Sequence, residues 1–480
     1  MGQTAAVYVL VGIAQRSLAL LILPFVTRVL SPGDYGRVSI VVTVLTLVGV
    51  IFAASLEVPL FRALARGGGG DIVRWSRAYT VYWLPGTCVL LATLLGVLDV
   101  IGVAPQARLW AIELASAGLV AALTYFGLPI LRATDQLARY FILAAGWMAC
   151  LVGTKLLFLG WLLPGPIGWV TSDLVSAGFA WLMVVLLVRA PVSDPAAPRP
   201  ADEPRSPWAL VRMCAPLVPH RLSFWALTSL SRPALVLVVS ISAVGLFSFA
   251  VSVAAISMLL LAELNRSVLL EYSRETFPAP TASTGTIVVV QATAAVAIPA
   301  LLALGVSLTG TLLVGSDYYT AIPIVGLLLL GQVAYGIYLI PMNFLVQTAG
   351  LFKWSSLASV FGAAVILGSI LLAGSQGSLR LVAVGNSIGY AAMCVAAFVL
   401  VRIAGLQISW RRCVPALPVV LLLVGALVTG VVATAVFPDP ARFGWAGVGV
   451  AMVTVAGAIS LGPVVGQRVN RIMAGRLRRP

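Results

Sequence analysis

Long apolar runs recur along the whole chain and constrain its fold more than any other feature. Each run holds about 20 residues, the length that an α-helix needs to cross the hydrocarbon core of a bilayer. Of the 480 residues, 61% are hydrophobic and only 9% are charged, too few charges to cover a soluble domain of this size. The sequence therefore predicts an all-α integral membrane protein.

Fourteen of these runs are long enough to be transmembrane helices. They lie at 5–27, 38–61, 78–98, 109–131, 140–162, 167–189, 209–231, 243–265, 286–309, 320–345, 355–373, 379–403, 414–436 and 443–465. A polar, proline-rich stretch follows the sixth run and is typical of a linker. We predict a six-helix N-lobe (1–189), a cytoplasmic linker (190–208), a six-helix C-lobe (209–403), and a final helix pair with a basic cytoplasmic tail (404–480).

Basic residues are distributed unevenly between the loops. Most of the 30 lysines and arginines fall in the even-numbered loops and the C-terminal tail. Because cytoplasmic loops carry the excess of positive charge, this pattern predicts that both termini are cytoplasmic. The same rule accounts for the net charge of +15, so we expect membrane lipids and no nucleic acid as partners.

Two arginines lie near the middle of predicted spans, Arg16 in the first and Arg221 in the seventh. An arginine at that depth costs roughly 2.5–3.5 kcal/mol on insertion scales, so it needs a polar partner. Guanidinium groups bind phosphate oxygens bidentately, which predicts an anion-binding pair in corresponding helices of the two lobes. The alternative is that each arginine binds a backbone carbonyl or extends to the interface. The neighbouring Gln15 and His220 are candidate donors to sugar or phosphate, although adjacent helical residues point about 100° apart.

Three charged residues lie near the outer ends of predicted spans in the N-lobe: Glu113 in the fourth, Lys155 in the fifth and Asp173 in the sixth. One interpretation is a buried cluster of ion pairs that joins the helices. Another is a site where a cation or a proton couples to transport. Sugar binding is the third.

Glu57 and Glu263 lie near the inner ends of the second and eighth predicted spans, again in corresponding helices. Arg266 follows Glu263 by three residues, a spacing at which side chains on a helix can pair. We interpret these residues as an inner gate, with anchoring at the interface as the alternative. His220 is the only histidine and the five cysteines are scattered, so we expect no metal site and no cofactor.

A short pattern recurs at the junction between the first and second spans of each proposed lobe. Pro24 precedes Gly36 by twelve residues, and Ser39 follows three residues later. Pro233, Gly245 and Ser248 repeat this spacing in the second lobe. Parallel repeats of this kind occur in transporters whose two halves are related.

Residues 23–36, LPFVTRVLSPGDYG, resemble the signature that follows the first helix of Wzx-like polysaccharide flippases. APLVP at 215–219 and VGLFS at 244–248 resemble the start of their second lobe, although Ser231-Arg232 stands where relatives often carry Asp-Arg. These flippases belong to the multidrug/oligosaccharidyl-lipid/polysaccharide exporter superfamily. The resemblance implies a transporter rather than an enzyme, in the inner (cytoplasmic) membrane. It would move a polyprenyl-diphosphate-linked oligosaccharide to the outer leaflet by alternating access.

The resemblance also implies that the final helix pair shapes a groove for the lipid tail. We expect a monomer, with association to glycan polymerase machinery left open.

Other functions are less consistent with the sequence. There is no GxxxxGK[ST] motif, which argues against an ATP-driven pump. A membrane glycan polymerase or glycosyltransferase would need a long outer loop with catalytic side chains, and the predicted outer loops are short. A multidrug–cation antiporter of the same superfamily would need an anionic cavity, whereas the predicted midplane charges are cationic. A flippase for the peptidoglycan precursor differs only in its glycan.

Overall fold

The computed structural model describes residues 22–53, 56, 60, 70–104, 107–188, 206–215, 218–351 and 353–476. These residues are almost entirely helical. Within them, the β-pairing consists of one isolated bridge, between Ala279 and Ile408. The predicted all-α class is therefore confirmed.

The helices are numbered here in chain order, after a helical stretch at 22–29. They are α1 (Pro32–Phe52), α2 (Gly70–Val100), α3 (Ala107–Ala133), α4 (Leu137–Leu162), α5 (Pro166–Leu187), α6 (Pro207–Cys214), α7 (Val218–Ser229), α8 (Ser231–Leu235), α9 (Ile241–Arg274), α10 (Ala282–Leu313), α11 (Ser316–Thr348), α12 (Lys353–Gly374), α13 (Leu379–Ile403), α14 (Leu417–Ala435) and α15 (Ala441–Arg476). Some of them contain π-helical or 3₁₀ turns.

Twelve helices in the described part of the chain are long and apolar enough to cross a membrane. They overlap the second to sixth and the eighth to fourteenth predicted spans, so these spans are confirmed and the chain is a multi-pass membrane protein. The bounds of the second span differ from the prediction of 38–61, because the helix begins at Pro32 and ends at Phe52. In the seventh predicted span the structure describes α6, α7 and α8, with a turn at Leu230 between α7 and α8, while residues 216–217 lie outside the described residues. The first lies mostly before residue 22, so the total of fourteen stays a prediction.

Large apolar side chains on the outside of the helices are consistent with a lipid environment. Leu90 and Leu372 are 70% and 75% exposed. A water-soluble protein would be expected to cover an extended apolar surface, whereas lipid tails solvate it.

The helices form two compact units, Met1–Ser248 and Phe249–Pro480, and the boundary falls inside α9. In the first unit, α3 packs against α1, α2 and α5, α4 packs against α5, and α7 and α8 pack against α1. In the second, α10 packs against α11, α14 and α15, and α13 packs against α11 and α12. The contacts thus group the seventh span with the six before it. The lobe boundaries at the 190–208 linker stay a prediction.

The family-like motif around residue 32 is the start of α1. Ser31 caps the helix, because its Oγ accepts a hydrogen bond from the backbone N–H of Asp34 at 3.1 Å. Pro32 occupies the first turn, where its missing N–H costs nothing. The motif therefore fixes where the second span begins.

The repeated glycines Gly36 and Gly245 lie against each other where the first turns of α1 and α9 cross. A Cβ on Gly36 would overlap the backbone of Ile241, and one on Gly245 would overlap the carbonyl of Pro32. Both residues belong to the first unit. Glycine is needed at each position because the two backbones are in direct contact.

We predict that Gly245→Ala destabilises the protein by about 1–3 kcal/mol, because the added methyl group forces the backbones of α1 and α9 apart. Gly178→Ala in α5 is the matched control, since a Cβ there meets no atom of the described residues. Thermal unfolding of the purified proteins in detergent measures the difference. Equal melting temperatures for Gly245→Ala and the wild type would contradict the crossing.

Two loops of the second unit are joined by backbone hydrogen bonds. The N–H of Ala279 donates to the carbonyl of Gln407 at 2.8 Å, and the N–H of Ser409 donates to the carbonyl of Ala279 at 2.7 Å. These bonds connect the turn between α9 and α10 to the segment between α13 and α14.

The same turn is organised by Glu275, which is buried. Its carboxylate accepts hydrogen bonds from the N–H of Thr281 at 3.2 Å and from the hydroxyl of Thr281 at 2.9 Å. Burial acts to raise the pKa of Glu275, but hydrogen bonds from Thr284 and Thr281 outweigh it and leave the pKa below its ordinary value.

We predict that Glu275 stabilises the fold above about pH 5 and that this contribution is lost as the pH falls through the lowered pKa of the folded state. The sign follows from the lowered pKa: the folded state binds a proton less readily than the unfolded state, so acid favours unfolding. The measurement is the melting temperature of the wild type and of Glu275→Gln across this range. A difference between them that stays constant with pH would contradict the prediction.

Arg442 joins the final helix pair to α10. Only 4% of it is exposed, and its guanidinium donates to the carbonyl of Pro438 and to the hydroxyl of Thr311, the latter at 3.4 Å. The guanidinium carbon also lies 4.6 Å from the centre of the Phe437 ring. The turn between α14 and α15 is thus held against the end of α10.

Candidate functional site

One face of the seventh span carries polar and cationic side chains. Arg221, Trp225 and Thr228 follow each other at spacings of four and three residues, which places them on one side of α7. Arg232 continues the series on α8, beyond a turn at Leu230. Arg221 is half-buried.

This face is turned toward α1 along part of its length. The indole N–H of Trp225 donates to the hydroxyl of Thr46 at 3.0 Å, and the guanidinium of Arg232 donates to the hydroxyl of Thr43 at 3.2 Å. Thr43 is buried, so the contact lies in the interior of the helix packing. These partners were not predicted from the sequence, which placed Arg232 in an outer loop. The spacing from residue 221 to 232 is the signal that would have found them.

Several predicted substrate and gate residues are not covered by the structure. Gln15, Arg16 and Glu57 lie outside the described residues. His220 lies in α7, but its side chain is not among those described. The proposed pairing of Arg16 with Arg221 therefore stays a prediction.

The structure brings the three N-lobe charges together. Lys155 Nζ lies 2.7 Å from a carboxylate oxygen of Asp173, 3.2 Å from the carbonyl oxygen of Trp169 and 3.7 Å from the centre of the Trp169 ring. The Lys155 side chain is 5% exposed and that of Asp173 is 17% exposed. The result is a buried ion pair between α4 and α5.

Glu113 is the third member of this cluster and comes from α3. It is 7% exposed, and its Oε2 has no hydrogen-bond partner within the described part of the chain. It interacts electrostatically with both Asp173 and Lys155. The Lys155 ammonium is therefore paired with Asp173, and Glu113 is a buried carboxyl group beside this pair.

Trp169 of α5 contacts side chains of two other helices. Its ring lies against Lys155 and makes an edge-to-face contact with Tyr35 of α1, with ring centres 5.8 Å apart. Trp169 and Asp173 are four residues apart, so both face Lys155 from one side of α5. That spacing is the sequence signal for this contact.

In α9, Glu263 and Arg266 form the i,i+3 ion pair, with 2.5 Å between carboxylate and guanidinium. Beside them, Asn265 accepts hydrogen bonds from Gln291 at 2.8 Å and from Asn343 at 2.6 Å. This network joins α9, α10 and α11. These hydrogen bonds favour a structural role for the three amide side chains, which lie next to the ion pair on α9.

By sequence, the chain matches no protein-family model and no curated protein. By structure, it is similar to "Lipid II flippase MurJ, inward closed conformation", with a TM-score of 0.66 and 11% identity over 95% of this chain and 99% of the other. It is also similar to an inward-facing multidrug resistance MATE family transporter of the MOP superfamily, with a TM-score of 0.62 and 16% identity over 81% and 94% of the two chains.

A third similar structure is a MOP superfamily transporter from Pyrococcus furiosus Vc1, with a TM-score of 0.51 and 15% identity over 84% and 95% of the two chains. MOP stands for the multidrug/oligosaccharidyl-lipid/polysaccharide exporter superfamily, which the sequence resemblance indicates. At these identities the similarity concerns the fold. The chain has the fold of MOP transporters, as the resemblance predicts.

We predict that Lys155→Met destabilises the protein by about 3–5 kcal/mol, because it leaves buried carboxylates without their cation. Arg74→Met is the matched control. Arg74 pairs with Asp71 at 3.8 Å, but its side chain is 67% exposed, and such pairs contribute about 0–1 kcal/mol. Thermal unfolding in detergent measures both changes. Equal changes in melting temperature for the two substitutions would contradict the prediction that the buried pair contributes more to stability than the exposed one.

Proposed function

We propose that the protein is a flippase that moves a polyprenyl-diphosphate-linked oligosaccharide from the cytoplasmic to the outer leaflet of the inner membrane. The observation that carries this proposal is the cationic face of α7 and α8, with Arg221 and Arg232, within a MOP transporter fold. It is a transport function rather than an enzymatic one. Alternating access is the mechanism that accords with this fold.

The charge of this face favours an anionic substrate. In α1, α7 and α8 as described, the only carboxylate is that of Asp34, in the first turn of α1. Arginine binds phosphate oxygens in a fixed, bidentate geometry, whereas an organic cation would be repelled. A multidrug–cation antiporter, the main alternative, would need carboxylates here. The Pyrococcus furiosus structure is described as having a binding pocket of reverse polarity that suggests a different function.

In the proposed cycle, the headgroup enters from the cytoplasm and its diphosphate binds Arg221 together with Arg16. Gln15 and His220 are proposed donors to the sugar or the phosphate. Binding neutralises the guanidinium groups and lowers the cost of closing the site in a low-dielectric surrounding. The helices then rearrange so that the site opens outward, while the lipid tail stays in the bilayer along a groove shaped by α14 and α15.

The inner gate is proposed to include Glu57 and the Glu263–Arg266 pair. Breaking or forming such a pair costs little when one partner is near solvent, and Arg266 has a side chain that is 48% exposed. Both termini are proposed to be cytoplasmic and the protein to act as a monomer, with contacts to glycan polymerase machinery. A peptidoglycan-precursor flippase would use the same diphosphate chemistry with another glycan.

We predict that Arg221→Ala reduces translocation of a fluorescent polyprenyl-diphosphate oligosaccharide in proteoliposomes by about tenfold to a hundredfold. A hydrogen bond to a charged group contributes about 1.5–3 kcal/mol, which corresponds to that range. Arg221→Lys keeps the charge but loses the bidentate geometry, so an intermediate rate is expected. The rate at which the labelled headgroup reaches the opposite leaflet is the measurement.

Arg212→Ala is the matched control, because Arg212 is an exposed arginine of the neighbouring α6. It should retain wild-type translocation. Full activity of Arg221→Ala at equal protein level would overturn the proposed role of Arg221. Transport of a cationic dye, with no transport of the lipid-linked glycan, would favour the antiporter instead.

A further inference from the structure

The segment between α13 and α14 carries three arginines on the surface of the second unit. Arg402 lies in the last turn of α13, and Arg411 and Arg412 lie in a 3₁₀ turn that precedes α14. All three are exposed, and within the described part of the chain none of them forms a salt bridge. Residues 318–438 contain no aspartate or glutamate, so these guanidinium groups have no acidic neighbour along the chain.

In the described part of the second unit, no acidic side chain balances these arginines. The acidic residues of the unit are Glu263, Glu271, Glu275, Asp317 and Asp439. The glutamates are held by neighbours close in sequence, two in ion pairs on α9 and one by hydrogen bonds in the turn after it. The aspartates lie at the start of α11 and after the end of α14. Because successive spans run in opposite directions, both aspartates are across the membrane from the segment between α13 and α14.

The segment is fixed to the unit by side chains on its inner face. The Trp410 ring contacts the rings of Phe344 and Phe398, with ring centres 6.0 Å and 5.0 Å apart. Cys413 is buried, and backbone hydrogen bonds join the segment to the turn between α9 and α10. The arginines are therefore carried by a rigid support, so less conformational freedom of the backbone is lost when they bind a ligand.

The segment lies at the membrane interface. α13 has 25 residues, which at 1.5 Å per residue is about 38 Å, longer than the roughly 30 Å of the hydrocarbon core. Arg402, at the end of this helix, is therefore placed in the headgroup layer. Exposed apolar side chains flank the arginines: Ile403, Val414 and Leu417. A surface with cationic and apolar side chains side by side can contact both headgroups and acyl chains.

We propose that Arg402, Arg411 and Arg412 form a binding surface for the phosphate groups of anionic phospholipids, named here the α13–α14 basic surface. Guanidinium groups bind phosphate oxygens through charge-assisted, bidentate hydrogen bonds. A zwitterionic headgroup brings its own cation to the arginines, whereas an anionic headgroup does not, so the anionic one is favoured. The charge distribution predicts that the leaflet is the cytoplasmic one. This inference goes beyond the proposed function, because it does not depend on which substrate is transported.

The diphosphate of a lipid-linked substrate has the same chemistry as a phospholipid headgroup. The place of the α13–α14 basic surface favours the phospholipid. The surface is an exposed turn between two consecutive spans, so a lipid of the surrounding leaflet can reach it without entering the helix packing.

Quenching of tryptophan fluorescence by brominated lipids tests the proposal. The full-length protein is reconstituted in phosphatidylcholine bilayers that contain either brominated phosphatidylglycerol or brominated phosphatidylcholine. The part of the quenching that disappears in Trp410→Phe reports on the lipid beside the surface, since Trp410 adjoins Arg411. Brominated phosphatidylglycerol should be preferred at this position in the wild type. Equal quenching of Trp410 by the two lipids would overturn the proposal.

The double variant Arg411→Gln/Arg412→Gln should lower this preference by about fivefold for each arginine removed, the contribution expected of a basic residue near an anionic surface. Arg380→Gln is the matched control and should keep the wild-type preference. Arg380 is an exposed arginine of the same acid-free stretch, at the opposite end of α13. A wild-type preference in the double variant, or its loss in Arg380→Gln, would overturn the proposal.

Arg402→Gln removes one arginine of the surface and leaves the 3₁₀ turn unchanged. It serves as the test if the double variant does not fold, and it should lower the preference by about fivefold. An unchanged preference in Arg402→Gln would then overturn the proposal.

A competitor separates the two possible sources of phosphate. Unlabelled polyprenyl-diphosphate oligosaccharide, added in an amount equimolar to the protein, should leave the quenching of Trp410 by brominated phosphatidylglycerol unchanged. Loss of this quenching would assign the surface to the lipid-linked diphosphate and overturn the assignment to phospholipid.

Discussion

The hydrocarbon core of the membrane offers no hydrogen bonds, and the rest of this structure depends on that constraint. A backbone that crosses it must satisfy its own N–H and C=O groups, so the spans are helices. A charge inside it must find a partner within the protein. The few charged side chains placed inside the helix packing are therefore concentrated in defined contacts: Lys155 with Asp173, Glu263 with Arg266, and Arg442 with the end of α10.

Two kinds of charged site differ in how completely they are enclosed. On α7, Arg221 is half-buried on a face shared with Trp225, which suits a group that must meet and release a ligand. In the first unit, Lys155 is almost fully enclosed by oxygens and an aromatic ring, which suits a group that never leaves the protein. The first arrangement favours a transient anion, and the second favours a permanent contact between α4 and α5.

The sequence predicts the twelve described spans because the length and the hydropathy of a segment are local properties. It also predicts that Glu113, Lys155 and Asp173 lie at a similar depth, since depth follows from counting residues along a helix. Depth does not give rotation about the helix axis, and the place of Trp169 against Lys155 depends on rotation. The turn at Leu230 between α7 and α8 was not predicted either, because the apolar run continues through it. The partners Thr43 and Thr46 depend on packing between distant helices.

The crossing of Gly36 and Gly245 restricts which substitutions α1 and α9 can accept. Each glycine fits only because the other backbone is bare at the same point, so neither position tolerates a side chain while the partner helix keeps its place. A substitution at one position would have to be accompanied by a displacement of the other helix. The backbones of α1 and α9 are therefore constrained together at this contact, so that the position of one helix sets the position of the other.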